Sequence, residues 1–354
     1  MRESDAGICM STISSGHHAD SSRPPGLRPL GLGIDAGGTK TRWALALPSG
    51  ELVAEGHADG FSALQMSSAI GRERIGSVLA LIASAVKAVG RPAQVVAGVT
   101  GFADNMEGEN LAALIAESLG ISRRAVSLCG DMEIAYLDLF APGDGYLVYA
   151  GTGSIAAFID AANKFHRIGG HGSILDDAGS GFWIAIEALR HIWRAEDERP
   201  GGWRESAMAR EVFARIGSSD WSASREFLYR GGFETNRGNI GQLALAVAAS
   251  ATTDPVARHI LIGAGAGLAR LAATLTARFG TRPIALAGRV AALHPLIEAS
   301  MRATLPATSE LAVRVSAAHH AAARIAARNA AENQADDQAD DKANNTAVQA
   351  APSE

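Results

Sequence analysis

The chain has 354 residues, of which 47% are hydrophobic and only 5% aromatic, with 39 glycines; this is enough apolar mass for a large core and suits two α/β domains rich in tight turns. Its formal charge of −5 is concentrated in residues 331–354, where Glu332, Asp336, Asp337, Asp340, Asp341 and Glu354 stand against Lys342, so the near-neutral body offers no basic excess to nucleic acid. No stretch reads as a membrane span of ~18–20 apolar residues, residues 11–29 lack a signal-peptide core, and two cysteines, Cys9 and Cys129, make no disulfide framework; a cytoplasmic protein is expected.

In chain order, residues 1–29 are polar and without periodicity and are expected to be disordered. An apolar run (Leu30, Leu32, Ile34) predicts a strand, and Thr41 to Leu47 and Leu52 to Glu55, joined at Pro48-Ser49-Gly50-Glu51, predict a β-hairpin. Helical spacing follows over Met66 to Val89, then a buried strand Gln94 to Val99, a helix Leu111 to Leu119, a strand Ala125 to Cys129 and a helix from about Glu133 to Phe140. Ala141-Pro142-Gly143-Asp144-Gly145 marks a boundary, giving an N-terminal domain at 30–142. The second half opens on strand Leu147 to Ala150 and a hairpin of Ile155 to Ile159 with Phe165 to Ile168, followed by a helix Gly181 to Arg194. Residues 204–279 read as wholly helical, with segments near 204–216, 222–230, 238–251 and 254–279. Strand Ile284 to Ala287, helix Leu293 to Thr304, strand Leu311 to Val315 and a helix over 317–328 complete the order. The second domain is thus set at 143–316, and the acidic, low-complexity tail at 329–354 is expected to be disordered.

The stretch Gly33-Ile34-Asp35-Ala36-Gly37-Gly38-Thr39-Lys40-Thr41 carries the first functional signal. Glycines let backbone N–H groups approach a ligand, and hydroxyls with a lysine add donors, which suits a polyphosphate; Asp35, at the strand end, suits a hydrated Mg²⁺. A dinucleotide fingerprint would open a helix, whereas this turn opens a hairpin, and the chain has no Gly-Lys pair for a Walker A loop. What remains is a phosphate-binding β-turn or a ligand-free glycine turn. A second strand–turn–hairpin, Leu147-Val148-Tyr149-Ala150-Gly151-Thr152-Gly153-Ser154, lies about 115 residues on and favours two related half-domains gripping one nucleotide. Asp131 closes a strand just before a helix, where it reads either as an N-cap or as a general base. Asp176 and Asp177 precede a helix and read as charged caps or as acceptors for sugar hydroxyls or a metal. His166 and His171 with these aspartates would make a transition-metal set, and Cys129 reads as a nucleophile or, more simply, a small buried strand residue.

These motifs in order, with Val99-Thr100-Gly101, Gly130-Asp131, Asp177-Ala178-Gly179-Ser180 and Ala287-Gly288, resemble the sugar kinase/actin/heat-shock ATPase superfamily. Within it the chain resembles the N-acetylglucosamine kinase and BadF/BadG/BcrA/BcrD ATPase family over about residues 30–328. The resemblance implies an α/β fold of two ribonuclease-H-like (actin-like ATPase) domains with mixed sheets, closing on Mg-ATP and substrate across a cleft, the helix 317–328 packing back on the first domain. It implies ATP and Mg²⁺ as cofactors, with Asp35 near the metal, phosphate turns at Gly37, Gly38, Thr39, Lys40 and Thr41 and at Gly151, Thr152, Gly153 and Ser154, and an adenosine turn at Gly288 and Arg289. Asp131 takes the place of the catalytic base, and Thr100, Gly101 and Asp177 line the sugar site. The partners implied are ATP and an amino sugar, with no nucleic acid and no membrane and a homodimer left open.

The chain departs from the family on the sugar side. Ala178 replaces a glutamate, Ile155 an asparagine, Leu64-Gln65-Met66 an Asn-His-Trp stretch, and His171 a tryptophan; on the adenosine side Arg289 replaces a glycine. Three functions are therefore expected in turn: an amino-sugar kinase; an ATP-binding sensor with a decayed sugar site; and an electron-transfer activator ATPase, which Cys9 and Cys129 are poorly placed to serve with an iron–sulfur cluster.

Overall fold

The computed structural model describes residues 10–11, 29–230 and 233–349, and these divide into two units, residues 1–138 with 317–354 and residues 139–316. The expected disorder of the leader lies outside the described residues, except that β1 (Met10–Ser11) pairs antiparallel with β4 (Leu52–Asp59) along that strand's outer edge. Residues 231–232, between the expected helical segments 222–230 and 238–251, also lie outside them.

In unit 1, β2 (Leu30–Ala36) and β3 (Lys40–Ala46) continue the antiparallel hairpin with β4, and β5 (Pro92–Val99) and β6 (Val126–Gly130) add parallel to β2, for an order β1-β4-β3-β2-β5-β6. In unit 2, β7 (Tyr146–Ala150), β8 (Ser154–Ile159) and β9 (Phe165–Gly169) form the antiparallel part, and β10 (Ile284–Ala287) and β11 (Leu311–Val313) add parallel to β7, for an order β11-β10-β7-β8-β9. Apart from β1, the two sheets have the same strand order and the same strand directions.

Helices α1 (Ala69–Val89) and α2 (Met106–Leu119) cover one face of the first sheet, where Leu32, Ile34, Trp43, Ile75, Ile82, Leu111 and Ile115 make a fully buried apolar layer. Helix α1 starts later than its periodicity predicts because Ser62 and Gln65 form a capping box over a short 3₁₀ turn, after which Ser68 caps the helix proper. Helix α2 starts earlier, on the Asn105 cap, with Glu107 and Glu109 favoured in its first turn. The other face carries α11 (Ala318–Gln349), which packs through Ala323 and Ala327 on Ala44 and Ala46. It lies so close to β2 that a Cβ on Gly31 or Gly33 would overlap its backbone. The helix runs on through the acidic segment expected to be disordered, and its alanine content, the best of the helix formers, accounts for the continuation.

In unit 2, α4 (Gly181–Glu198), α5 (Ala207–Ile216), α6 (Trp221–Tyr229), α7 (Phe233–Gly241), α8 (Ala244–Ser250), α9 (Pro255–Phe279) and α10 (Pro295–Thr304) accompany the second sheet. The single helix expected over 238–251 is two, parted where Gly241 abuts the backbone of Gly181 and Phe182. Asp254 caps α9 through the N–H groups of Val256 and Ala257 while also accepting from Ser206 Oγ at 2.7 Å and Met208 N–H at 3.0 Å, which ties α5 to α9. By length and composition alone α9 would be long and apolar enough to cross a membrane, with a mean hydropathy of 1.5 over its best window, but half of that window is buried within the protein. Gly265 serves its packing, since a Cβ there would overlap the Ile297 carbonyl of α10.

Candidate active site

Both units place their functional candidates at the carboxyl ends of parallel strands, where α/β sheets collect ligands. In unit 1 these ends are β2, β5 and β6, followed by α3 (Asp131–Leu139). The register sets Ala36 beside Val99 and Val99 beside Gly130, so Asp35, Thr100 and Asp131 come together along one edge. The hydroxyl of Thr100 hydrogen-bonds the Asp131 carboxylate, and Met132 N–H donates to Asp131 Oδ1 at 3.0 Å. Asp131 is the first residue of α3, two residues before the expected start, and its carboxylate accepts from the first-turn Met132 N–H, while Glu133 accepts from Gly130 N–H at 3.0 Å.

The carboxylates are held at raised pKa. Burial pushes Asp35 up to about 6, and the negative charges of Asp131 and Asp138 add to that effect while Arg42 opposes it. Burial also raises Asp131, against the pull of Thr100 and the Met132 N–H. An acid cluster that is short of cations and half-buried is the electrostatic pattern of a functional site. Cys129, beside it, has its thiol pushed up by burial and by Glu133 and Asp131, and its Sγ faces the Ala97 carbonyl at 3.8 Å. It is a packed strand residue, not a thiolate nucleophile.

The first turn is closed by Gly37 N–H donating to the Lys40 carbonyl at 3.1 Å. Gly38, Thr39 and Lys40 are exposed, and the N–H groups of Gly38 and Thr39 have no backbone partner among the described residues. Thr41 is fully buried with an unpaired hydroxyl. Gly60 supports the turn from below; a Cβ there would overlap the Thr39 and Lys40 backbone. Gly101 adopts φ +71, and the loop at Ser62 is pinned beside it by Ser62 Oγ donating to the Thr100 carbonyl at 3.0 Å.

The second turn, in unit 2, repeats the design. Gly151 N–H donates to the Gly153 carbonyl at 2.8 Å, leaving the N–H groups of Thr152 and Gly153 without a backbone partner among the described residues. Ser154 is spent on the scaffold: its N–H donates to Asp177 Oδ1 at 2.9 Å and its Oγ to the Ala178 carbonyl at 2.8 Å. The other oxygen of Asp177 accepts from Arg237 Nη2 at 2.9 Å. Asp177, expected to line the sugar site, is buried and braces the second turn, its carboxyl raised by burial against the pull of Ser154 and Arg237. Helix α4 begins at the same place, with Gly181 N–H on the Gly151 carbonyl and Ser180 as its cap.

Gly288 ends β10 with φ +96, and a Cβ there would overlap the Ala150 carbonyl; Val290 N–H donates to that same carbonyl at 2.9 Å. The Gly288 turn therefore lies against the start of the Gly151–Ser154 turn, with Arg289 exposed beside it. His166 pairs with Asp160 at 2.7 Å, and Asp176 pairs with Arg270, so the expected set of His166, His171, Asp176 and Asp177 does not form. Arg237 was not legible in the sequence, since a lone arginine 60 residues from its partner carries no signal.

Comparison with known proteins follows this geometry. The model of the BadF/BadG/BcrA/BcrD ATPase family matches residues 32–325. A curated relative, the N-acetylmuramic acid/N-acetylglucosamine kinase of Clostridium acetobutylicum, is 28% identical over 172 residues, covering 48% of this chain and 55% of the relative; the match thus spans about half of that protein. Among solved structures, a candidate N-acetylglucosamine kinase from Chromobacterium violaceum superposes with a TM-score of 0.64 at 23% identity, covering 85% of this chain and 100% of the other. A candidate N-acetylglucosamine kinase from Porphyromonas gingivalis superposes with a TM-score of 0.67 at 17% identity, covering 86% and 99%. These two likenesses establish the fold.

Proposed function

The chain belongs to the BadF/BadG/BcrA/BcrD ATPase family, and from that premise we propose that it is an ATP-dependent amino-sugar kinase, transferring a phosphoryl group from Mg-ATP to a sugar hydroxyl. The observation that carries this reading is the cluster of Asp35, Thr100 and Asp131 at one strand edge, with Asp35 pushed up to about 6 by burial and by the negative charge of Asp131. The curated relative's substrates, N-acetylmuramic acid and N-acetylglucosamine, make an amino sugar the acceptor of choice.

The residues fit Mg-ATP. Asp35 is a partly buried carboxylate whose raised pKa a divalent cation would lower again. Within unit 1, Gly38 and Thr39 present N–H donors without a backbone partner among the described residues, and Lys40 adds a charge; unit 2, by itself, presents Thr152 and Gly153 in the same condition. Gly288 and Arg289 are assigned to the adenosine. Bound Mg²⁺ would supply charge neutralisation on the phosphates.

The chemistry then rests on the chain's own groups. Asp131 accepts the proton of the sugar hydroxyl as its oxygen bonds to the γ-phosphorus and the bond to ADP breaks. Thr100, donating to Asp131, fixes the carboxylate's direction. Its burial raises its basicity toward the working range of a general base, help worth about 10²–10⁴-fold. Gly101 lies next to Thr100 on the sugar side.

Asp131→Asn tests this. ATP binding should persist while sugar phosphorylation falls at least about a hundredfold. Near-normal turnover would remove Asp131 from the mechanism. ADP release across glucosamine, N-acetylglucosamine, N-acetylmuramic acid and glucose identifies the acceptor; ATP binding with no release on any amino sugar would make the protein a sensor instead.

A further inference from the structure

A second set of ligating side chains gathers in unit 1 on the sheet face covered by α11. Glu55 stands on β4 opposite Ala44 of β3, whose side chain packs on that helix. His319 and His320 occupy the first turn of α11. Glu55 Oε2 lies 2.5 Å from His320 Nε2 and 3.7 Å from His319 Nε2, and the three ligand atoms lie within 4.8 Å of one another. The two imidazole rings are 4.1 Å apart between centroids. His319 is 8% exposed, its Nδ1 is buried without a hydrogen-bond partner, and its Nε2 is too far from Glu55 for a good hydrogen bond. A buried imidazole nitrogen left without a partner, beside a second imidazole and a carboxylate, calls for a ligand.

We propose that Glu55, His319 and His320 bind a divalent transition metal, Zn²⁺ by donor chemistry, clipping the start of α11 to the β3–β4 hairpin. Two imidazoles and one carboxylate are the donor set of a three-ligand zinc site whose fourth position takes water. Bonds of about 2.0–2.1 Å in a tetrahedron separate ligand atoms by about 3.3 Å. The observed 2.5 and 3.7 Å from Glu55 lie on either side of that value, and all three ligand atoms lie within 4.8 Å of one another. Arg42 directs its positive charge at His319 and weakens the site, so micromolar affinity is expected. The hairpin so clipped begins at Lys40, at the end of the first phosphate turn, but the site is independent of the kinase reading.

The test uses the full chain and ZnCl₂ alone, after EDTA treatment. Calorimetry should give one zinc per chain at micromolar Kd, with a melting temperature about 5 °C higher at a hundredfold excess over Kd. Glu55→Gln and His320→Gln should lose the rise and at least tenfold in affinity. No zinc-dependent rise, or an equal rise in both variants, overturns the proposal. Zinc protection of His320 from diethyl pyrocarbonate, mapped by mass spectrometry on the unmodified chain, decides the matter if a variant fails to fold. Protection supports the site, and equal modification with and without zinc overturns it.

Discussion

The turn after β2 and the turn after β7 are each closed by the N–H of their first glycine, on the carbonyl three residues on in one and two residues on in the other, and each leaves two N–H groups without a backbone partner among the described residues. What stands behind them differs. The second turn is held by Asp177, which ties Ser154 to Arg237, and by the first residue of α4. The first turn shows no such carboxylate brace among the described residues; its Gly38, Thr39 and Lys40 are exposed, and Arg42 only partly offsets the burial of Asp35. One turn is set by the fold before any ligand arrives. The other stores an electrostatic penalty that a ligand cation would relieve. Repeated backbone geometry therefore does not imply repeated energetics; that depends on which side chains back it.

Breaking the brace should have the largest effect. Asp177→Ala leaves Arg237 without its carboxylate and Ser154 N–H without an acceptor, and should cost roughly 3–5 kcal/mol of stability, together with weaker ATP binding; urea titration and calorimetry check both. A loss under about 1 kcal/mol would mean that the second turn holds itself. The opposite sign is expected in the first unit. Asp35 has a folded pKa near 6, above its unfolded value, so the protonated form is favoured by folding; that stability is fully present below about pH 4 and lost as pH rises through about 6. Asp35→Asn should therefore stabilise the nucleotide-free protein by about 2–3 kcal/mol at pH 7 and by nothing at pH 4, while weakening Mg-ATP binding. Melting curves at the two pH values would expose a pH-independent gain, which would refute the electrostatic account.

Gly288→Ala should cost roughly 1–3 kcal/mol from the φ of +96 and the overlap with the Ala150 carbonyl, and should raise the KM for ATP. Lys40→Ala, at an exposed position, should change stability by less than about 0.5 kcal/mol and raise only the KM for ATP. A large stability loss there would show that the first turn is braced after all.

Much of the fold was legible. Alternation and apolar runs located every strand from β2 onward to within a few residues, because period two and turn residues are local signals. The misplaced boundaries have local chemistry behind them: the Ser62–Gln65 capping box shifted the start of α1, and the Asn105 cap that of α2. The extended end of α11 shows alanine content prevailing over acidic, low-complexity character.

The site was legible in its glycines and aspartates but not in their roles. Spacing marked Asp35, Asp131 and both turns, since a strand end followed by Gly-rich residues is a pattern of neighbours in the chain. Only tertiary structure joined Thr100 to Asp131, bonded Asp177 to Ser154, supplied Arg237 from a distant helix, and set His319 and His320 against Glu55. Local periodicity and turn chemistry belong to short stretches of chain, and the sequence by itself determined them. Burial, pairing and the resulting pKa values depend on which distant side chains the packed core forces together, and that only the tertiary structure decided.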